Sequence, residues 1–272
     1  MVVQHNLQAA NTNRMLGQNV KAVSKSTEKL SSGYQVNRAA DDAAGLSISE
    51  KMRNQIRGIN QAVKNSEDGV SLIQTAEGNM NEIHSILQRM GELATKAAND
   101  VNATEDRDAI ADEMTQLRNE IDSISSKAAF NGTKLLTGDF KSKFLQVGAN
   151  SGENMMITIK TMNTTTLALT SADVSVSSHA LASTAMSKIS AAIKTVSAAR
   201  SELGAKQNRL NYTINNLENY SENLTSAESQ IRDTDMATEM TNYTKNNILQ
   251  QAAQSMLAQA NQSTQGVLSL LQ

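Results

Sequence analysis

Few side chains in this sequence are of the kind that carries chemistry, and those few are poorly placed for it. The three histidines, His5, His84 and His179, lie far apart, and none has a second histidine one helical turn away, the spacing a zinc site needs. The paired carboxylates, Asp41-Asp42 and Asp233 with Asp235, sit in short aperiodic segments, where helix capping is their expected role. There is no cysteine, hence no thiolate nucleophile, no thiolate metal ligand and no disulfide. There is no phosphate-cradling loop and no nucleophile–base constellation. The expectation is a protein that is not an enzyme and has no metal and no cofactor.

The elements such residues would decorate are helices. Aromatic residues make up 3% of the 272 positions, and there is no Trp and no Pro. Pro costs about 3 kcal/mol or more inside a helix, so its absence permits very long ones. The net charge of −2 gives no pull toward nucleic acid or an anionic membrane. No apolar run reaches the ~18 residues of a membrane span. The first residues, MVVQHNLQAANTNR, lack the basic and apolar regions of a cleaved signal peptide, so if the protein leaves the cell it does so by another route.

Apolar residues seven apart, Val2, Ala9, Leu16, Val23 and Leu30, predict a first helix ending at Ser31-Ser32-Gly33, with Val20 and Thr27 at the intermediate positions. A connector follows to Gly45. A second helix is expected from about Ile48 to Ala98, its stripe (Met52, Ile56, Ile59, Val63, Val70, Ile73, Met80, Ile83, Leu87, Met90) slipping register after Val70. Thr104 is the expected N-cap of a third helix carrying Ile110, Met114, Leu117, Ile121, Ile124 and Ala128. Between 130 and 180 the turn signals Asn131-Gly132, Gly138-Asp139 and Ser151-Gly152 bracket two expected strands, Phe140–Val147 and Met155–Met162, followed by a Ser/Thr-rich surface loop at 163–178. The fourth helix has the clearest heptad, with Ile189, Val196, Leu203, Leu210, Leu217, Leu224 and Ile231, each contributing ~1.5–3 kcal/mol if buried. After Arg232-Asp233-Thr234-Asp235 a fifth helix bears Leu249, Ala253, Met256, Ala260, Val267 and Leu270.

The fold class is therefore mainly α: a long antiparallel helical bundle with one small β-hairpin region at about 130–162 and paired termini. Residues 1–44 with 232–272 are expected to form a terminal coiled coil, and 45–231 a helical rod. The first 13 residues and the stretch from Asn246 to Gln272 contain no Asp, Glu, Lys or Arg. A thin Ala/Val/Leu stripe offsets poorly the ~1–2 kcal/mol per residue of backbone ordering, so both ends are expected to become ordered only on association.

Long stretches of the chain resemble bacterial flagellins: LSSGYQVNRAADDAAGLSISEKMR (Leu30–Arg53), NSEDGVSLIQTAEGNMNEIHSILQRMGELA (Asn65–Ala94), EMTQLRNEID (Glu113–Asp122), FNGTKLL (Phe130–Leu136), the long run Leu203–Met240, ILQQAAQSMLAQANQ (Ile248–Gln262) and VLSLLQ (Val267–Gln272). The resemblance implies a minimal flagellin without large outer domains, secreted through the flagellar type III export channel and polymerised into the extracellular filament that drives swimming. It implies as assembly residues Leu16, Val20, Val23, Leu30, Leu249, Met256, Leu268, Leu270 and Leu271. It implies as partners further copies of the chain, an export chaperone on the C-terminal helix, and the filament cap and hook-associated proteins. In animal hosts it implies Toll-like receptor 5, through Arg89, Leu93 and Glu113, with Leu93 an exposed anchor beside Arg89, and cytosolic inflammasome receptors reading Leu268, Leu270 and Leu271.

Two other readings compete. A hook-associated junction protein of the same superfamily would share the terminal patterns. A non-polymerising helical adaptor would tolerate loss of its ends, which a filament subunit would not.

Overall fold

The computed structural model describes residues 6–270, with side chains described through Ser263. Val2, His5 and Leu271, and the side chains of Leu268 and Leu270, lie outside that range. Five helices dominate: α1 (Leu7–Ser32), α2 (Ala43–Ala97), α3 (Thr104–Lys127), α4 (His179–Arg232) and α5 (Met236–Leu270). Two compact units contain them. One is built from residues up to Gln55 and from Glu222 onward; the other spans Ile56–Ser221. The expected division at 44/45 and 231/232 compares with one that falls inside α2 and α4.

The Ile56–Ser221 unit holds a continuous core. Along the part of α2 in this unit, the buried positions 59, 62, 66, 69, 73, 76, 80, 83, 87, 90, 94 and 97 alternate steps of three and four without interruption, with Leu93 buried beside that row. The register slip expected after Val70 is absent, because Ala62, Ser66, Gly69 and Ala76 complete the heptad with small side chains that do not look like a stripe. Gly69 makes room for two leucines: a Cβ would overlap Leu145 Cδ2, which would have to shift, and stand 3.3 Å from Leu210 Cδ1. Buried Ser66 returns its hydroxyl to Ala62 O at 2.8 Å, so no polar atom is stranded.

α4 runs antiparallel to α2, as Arg200–Glu77 and Ser221–Asn60 contacts show. Its buried face alternates Ala182, Ala185, Ala192 and Ala199 with Ile189, Val196 and Leu203, small against large, so the helices interdigitate. Leu224 and Ile231, expected to be buried, are only half-buried. α3 closes the bundle through Ile110, Met114 and Ile121. Its N-cap is Ala103, not Thr104, and the Asp106 side chain accepts from the Ala103 N–H at 3.2 Å.

The region after α3 contains two hairpins where one was expected. β1 (Ala129–Phe130) pairs with β2 (Thr133–Lys134) around Asn131-Gly132, both at positive φ (46° and 76°), the geometry that favours this dipeptide in tight hairpins. β3 (Lys143–Gln146) pairs with β4 (Asn154–Ile157), placing Phe144 opposite Met156. Both strands are shorter than the sequence suggested. The 163–178 segment is not a surface loop throughout. Leu167, Leu169, Val174 and Val176 join the core, and the Asp122 carboxylate accepts from both the N–H (2.9 Å) and the hydroxyl (2.8 Å) of Thr164.

Leu87 lies at the centre of this core and is fully buried. Leu87→Ala is expected to cost about 2–5 kcal/mol, read as a lowered urea midpoint at unchanged m-value.

Candidate assembly interface

The other unit is a two-helix seam closed by a joint. The seam is antiparallel: Asn6 Nδ2 donates to Ala260 O at 3.0 Å, and Lys29 Nζ lies 3.9 Å from Glu239 Oε2. Asn6 also caps α1, accepting from Ala9 N–H at 3.0 Å. The face that α1 turns inward is Ala9, Thr12, Leu16, Asn19, Val23, Ser26 and Leu30; α5 answers with Glu239, Tyr243, Asn246, Gln250, Ala253, Leu257 and Ala260. Along α1 apolar and polar positions alternate, and α5 adds Asn246 and Gln250 to the polar ones. Polar layers in a coiled coil fix register at a cost in stability, and here only Ser26 and Ala260 are buried among the described seam residues.

The expected assembly residues divide between seam and surface. Leu16, Val23 and Leu30 are half-buried in the seam. Val20 is not at an intermediate seam position, and neither is Thr27. The heptad steps three residues from Leu16 and Val23, to Asn19 and Ser26, which leaves Val20 exposed. Leu249 and Met256 are exposed as well, one position before the inward-facing Gln250 and Leu257. Antiparallel pairing puts Met15 and Ala22 on the same flank as Leu249 and Met256, and Val20 on the opposite flank with Met240. Both flanks therefore carry large apolar side chains that the chain itself leaves about half exposed.

The joint is made by the two aperiodic connectors. Gly33, left-handed at φ 76°, ends α1 by donating to Lys29 O. The chain then pairs with the α4–α5 connector: Gln35 N–H to Arg232 O at 2.7 Å and Thr234 N–H to Gly33 O at 2.9 Å. The Arg232 guanidinium lies 4.6 Å above the centre of the Tyr34 ring and donates to Glu50 Oε1 at 2.7 Å. The paired carboxylates act as caps. Asp42 accepts from Ala44 and Gly45 N–H groups, and Asp235 from those of Ala237 and Thr238. A Cβ at Gly45 would overlap the Asp42 carboxylate, so the cap requires glycine there. Asp41 pairs with Lys25 at 2.9 Å. Hydrogen bonding holds three of these acids below the usual carboxylate range: Glu50 mainly through Arg232, Asp41 through Lys25, and Asp235 through the Thr238 hydroxyl.

In the Ile56–Ser221 unit, Arg89 and Glu113 are exposed and joined, with Arg89 Nη2 and Nε 2.9 and 3.1 Å from Glu113 Oε1, and Nη1 3.1 Å from Glu92. The pair raises the Arg89 pKa, Glu113 contributing most and Glu92 next. Leu93 is not an exposed anchor. At 4% exposure it belongs to the core and floors a groove of about 480 Å³ between α2 and α3. Its position three residues from Met90 and four from Ala97 puts it on the buried face, which the eye drawn to Arg89 passes over. Sequence reasoning also missed a hydrophobic surface: all three phenylalanines, Phe130, Phe140 and Phe144, line one small apolar pocket with Leu72 and Leu145.

Long helices, uncovered apolar flanks at both chain ends and a surface organised around packing define a self-associating structural subunit. The comparisons agree. The bacterial flagellin N-terminal helical region matches residues 3–141, and the bacterial flagellin C-terminal helical region matches 186–271. A flagellin of Halalkalibacterium halodurans is 52% identical over 271 residues, with all of both chains covered. The flagellar filament 30.7 kDa core protein of Treponema maltophilum is 45% identical over 284 residues, again with both chains covered throughout. The crystal structure of Bacillus cereus flagellin aligns with a TM-score of 0.50 at 32% identity, covering 57% of this chain and 88% of that one. The chain belongs to the bacterial flagellin family. It is a structural subunit of the extracellular flagellar filament, not an enzyme. Among the described residues, no helix is long and apolar enough to cross a membrane.

The joint makes a pH-dependent prediction. Glu50 has a folded pKa below its unfolded value, so its ionised form contributes stability above the unfolded value of about 4.3 and loses it as pH falls through the folded value. Glu50→Gln is expected to lower the thermal midpoint at neutral pH, and the difference from wild type is expected to shrink as the medium is acidified. A gap that stays constant down through the carboxylate range would contradict the assignment.

Proposed function

We propose that the flanks of the α1–α5 seam are the axial assembly surface of the filament subunit. One observation carries this: Met15, Leu249 and Met256 on one flank, and Val20 and Met240 on the other, are exposed although each is large and apolar. Neighbouring copies covering them would supply the burial that the seam lacks. The interfaces are heterologous and do not close, so addition continues into an open helical polymer that transmits torque in swimming. Leu268, Leu270 and Leu271, which the resemblance implies for the same role, lie outside the described side chains. The exposed Phe144–Met156 cross-strand pair is a second apolar surface, suited to lateral contacts between rod units.

Other partners follow from family membership. The export chaperone binds α5 before assembly, when its flank is uncovered, and the chain leaves through the type III channel without disulfides or prolines to delay folding at the tip. The filament cap and hook-associated proteins meet the same terminal helices. Toll-like receptor 5 engages the α2–α3 groove through Arg89 and Glu113, with Leu93 supporting the groove from below. The hook-associated reading is less well supported, because relatives named as flagellins and filament core proteins align over the entire chain.

Two measurements test these assignments. Leu249→Glu places a carboxylate in the covered flank and is expected to reduce growth from filament seeds by tenfold or more, the equivalent of ~1.4 kcal/mol or above, while circular dichroism of the subunit stays unchanged. Normal growth would refute the flank assignment. Arg89→Ala is expected to weaken signalling in a Toll-like receptor 5 reporter assay about tenfold or more without affecting assembly; an unchanged response would refute the groove assignment.

A further inference from the structure

The methionines of this protein are divided by exposure. Met80, Met90, Met114, Met155 and Met162 are buried in the core of the Ile56–Ser221 unit. In contrast, every methionine of α1 and α5 is exposed: Met15 at 48%, Met236 at 47%, Met240 at 51% and Met256 at 55%. A core methionine is unremarkable gap-filling. Four half-exposed thioethers on two paired helices, in a chain with no cysteine to intercept an oxidant first, are a chemical liability placed on one structure.

We infer that these four methionines are an oxidation site that governs assembly: a hydroperoxide converts them to sulfoxides in the free subunit and thereby blocks incorporation, whereas the assembled filament shields them. The inference rests on the proposed flank assignment. The step balances. With hydrogen peroxide, the thioether sulfur attacks one peroxide oxygen, an S–O bond forms as the O–O bond breaks, and the departing hydroxide takes the proton from the oxygen now bound to sulfur, giving sulfoxide and water (an alkyl hydroperoxide gives the alcohol instead); sulfur is oxidised by two electrons and the peroxide reduced by two. The product replaces a flexible apolar side chain with a polar, chiral one that disrupts methionine-containing interfaces. On a flank covered by a neighbouring copy, the sulfoxide oxygen meets apolar side chains and has no donor, a buried polar group without a partner.

Placement makes the effect specific. Met15 and Met256 share a flank with Leu249, and Met240 shares the other with Val20, so neither flank escapes. The seam itself is not attacked at its inward-facing aliphatic positions, Leu16, Val23 and Leu257. The subunit therefore keeps its intrachain pairing while losing its competence to add. Met156 and Met186 are also exposed but lie outside α1 and α5, which supplies an internal control.

The test is to treat full-length subunit and preformed filament with hydrogen peroxide at a dose that leaves Met80 and Met90 unmodified by peptide mass spectrometry, then measure seeded growth. Wild-type subunit is expected to acquire sulfoxide at Met15, Met236, Met240 and Met256 and to grow at least tenfold more slowly. The filament is expected to show severalfold less sulfoxide at those positions, and methionine sulfoxide reductase is expected to restore growth. The M15L/M236L/M240L/M256L variant, checked for wild-type circular dichroism and measured against its own untreated growth rate, is expected to keep most of that rate after the same dose. If oxidised wild type grows normally, or the variant loses growth as wild type does, the oxidation proposal is overturned while the flank assignment stands. If Met15 and Met256 react as fast in filament as in free subunit, the flank assignment fails with it. Should the variant not fold, the reductase result decides: growth that stays lost after reduction of the sulfoxides overturns the proposal.

Discussion

The two ends of this chain are joined by a seam that buries too little. α1 contributes 26 residues and α5 35, yet along their described faces only Ser26 and Ala260 are removed from water. Backbone ordering costs ~1–2 kcal/mol per residue, and half-buried Ala, Thr and Asn layers return less of it than an Ile/Leu seam would. The contrast with the Ile56–Ser221 unit is direct. There α2, α3 and α4 bury Ile73, Met80, Ile83, Leu87, Met90, Ile121 and Ile189 together, with small residues opposite large ones. One unit is a finished core. The other is a scaffold whose remaining burial must come from outside the chain, and a polymer of identical copies is the source that family membership supplies.

What keeps so thin a seam in register is local chemistry. Asn6 caps α1 and reaches Ala260 at the far end; Lys29 and Glu239 meet near the other. The joint adds a backbone bridge between Tyr34 and Asp233 and a guanidinium held between a ring and a carboxylate. Arg232 is 12% exposed at its side chain, so its charge is partly desolvated and depends on Glu50. These contacts set direction and register; they contribute little apolar burial. The arrangement is that of an element oriented in advance and sealed later.

Much of this was legible in the residues. The heptads of α4 and α1, the Asn131-Gly132 turn and the capping role of Asp42 and Asp235 follow from periodicity and local hydrogen-bonding chemistry, which are encoded within a few residues. What was not legible depended on distant neighbours. Gly69 and Ser66 look like interruptions until Leu145 and Leu210 are seen to occupy the space beside Gly69. Thr164 looks like a loop residue until the Asp122 carboxylate satisfies both of its donors. Leu93 belongs to the buried face by spacing, yet its place beside Arg89 suggested a surface anchor. Val20 was misplaced by one residue, enough to move it from the seam to the flank. That same displacement exposes it to a neighbouring subunit, which periodicity alone does not reveal.

Hydrogen exchange followed residue by residue, in dilute subunit and again in intact filament, tests the central claim most directly. The account predicts rapid exchange through residues 7–30 and 239–262 in the subunit, strong protection of the same amides in the filament, and slow exchange along α2 between 73 and 97 in both states. Equal, strong protection of the terminal helices in the isolated subunit would contradict it, because the seam would then be complete without a second copy.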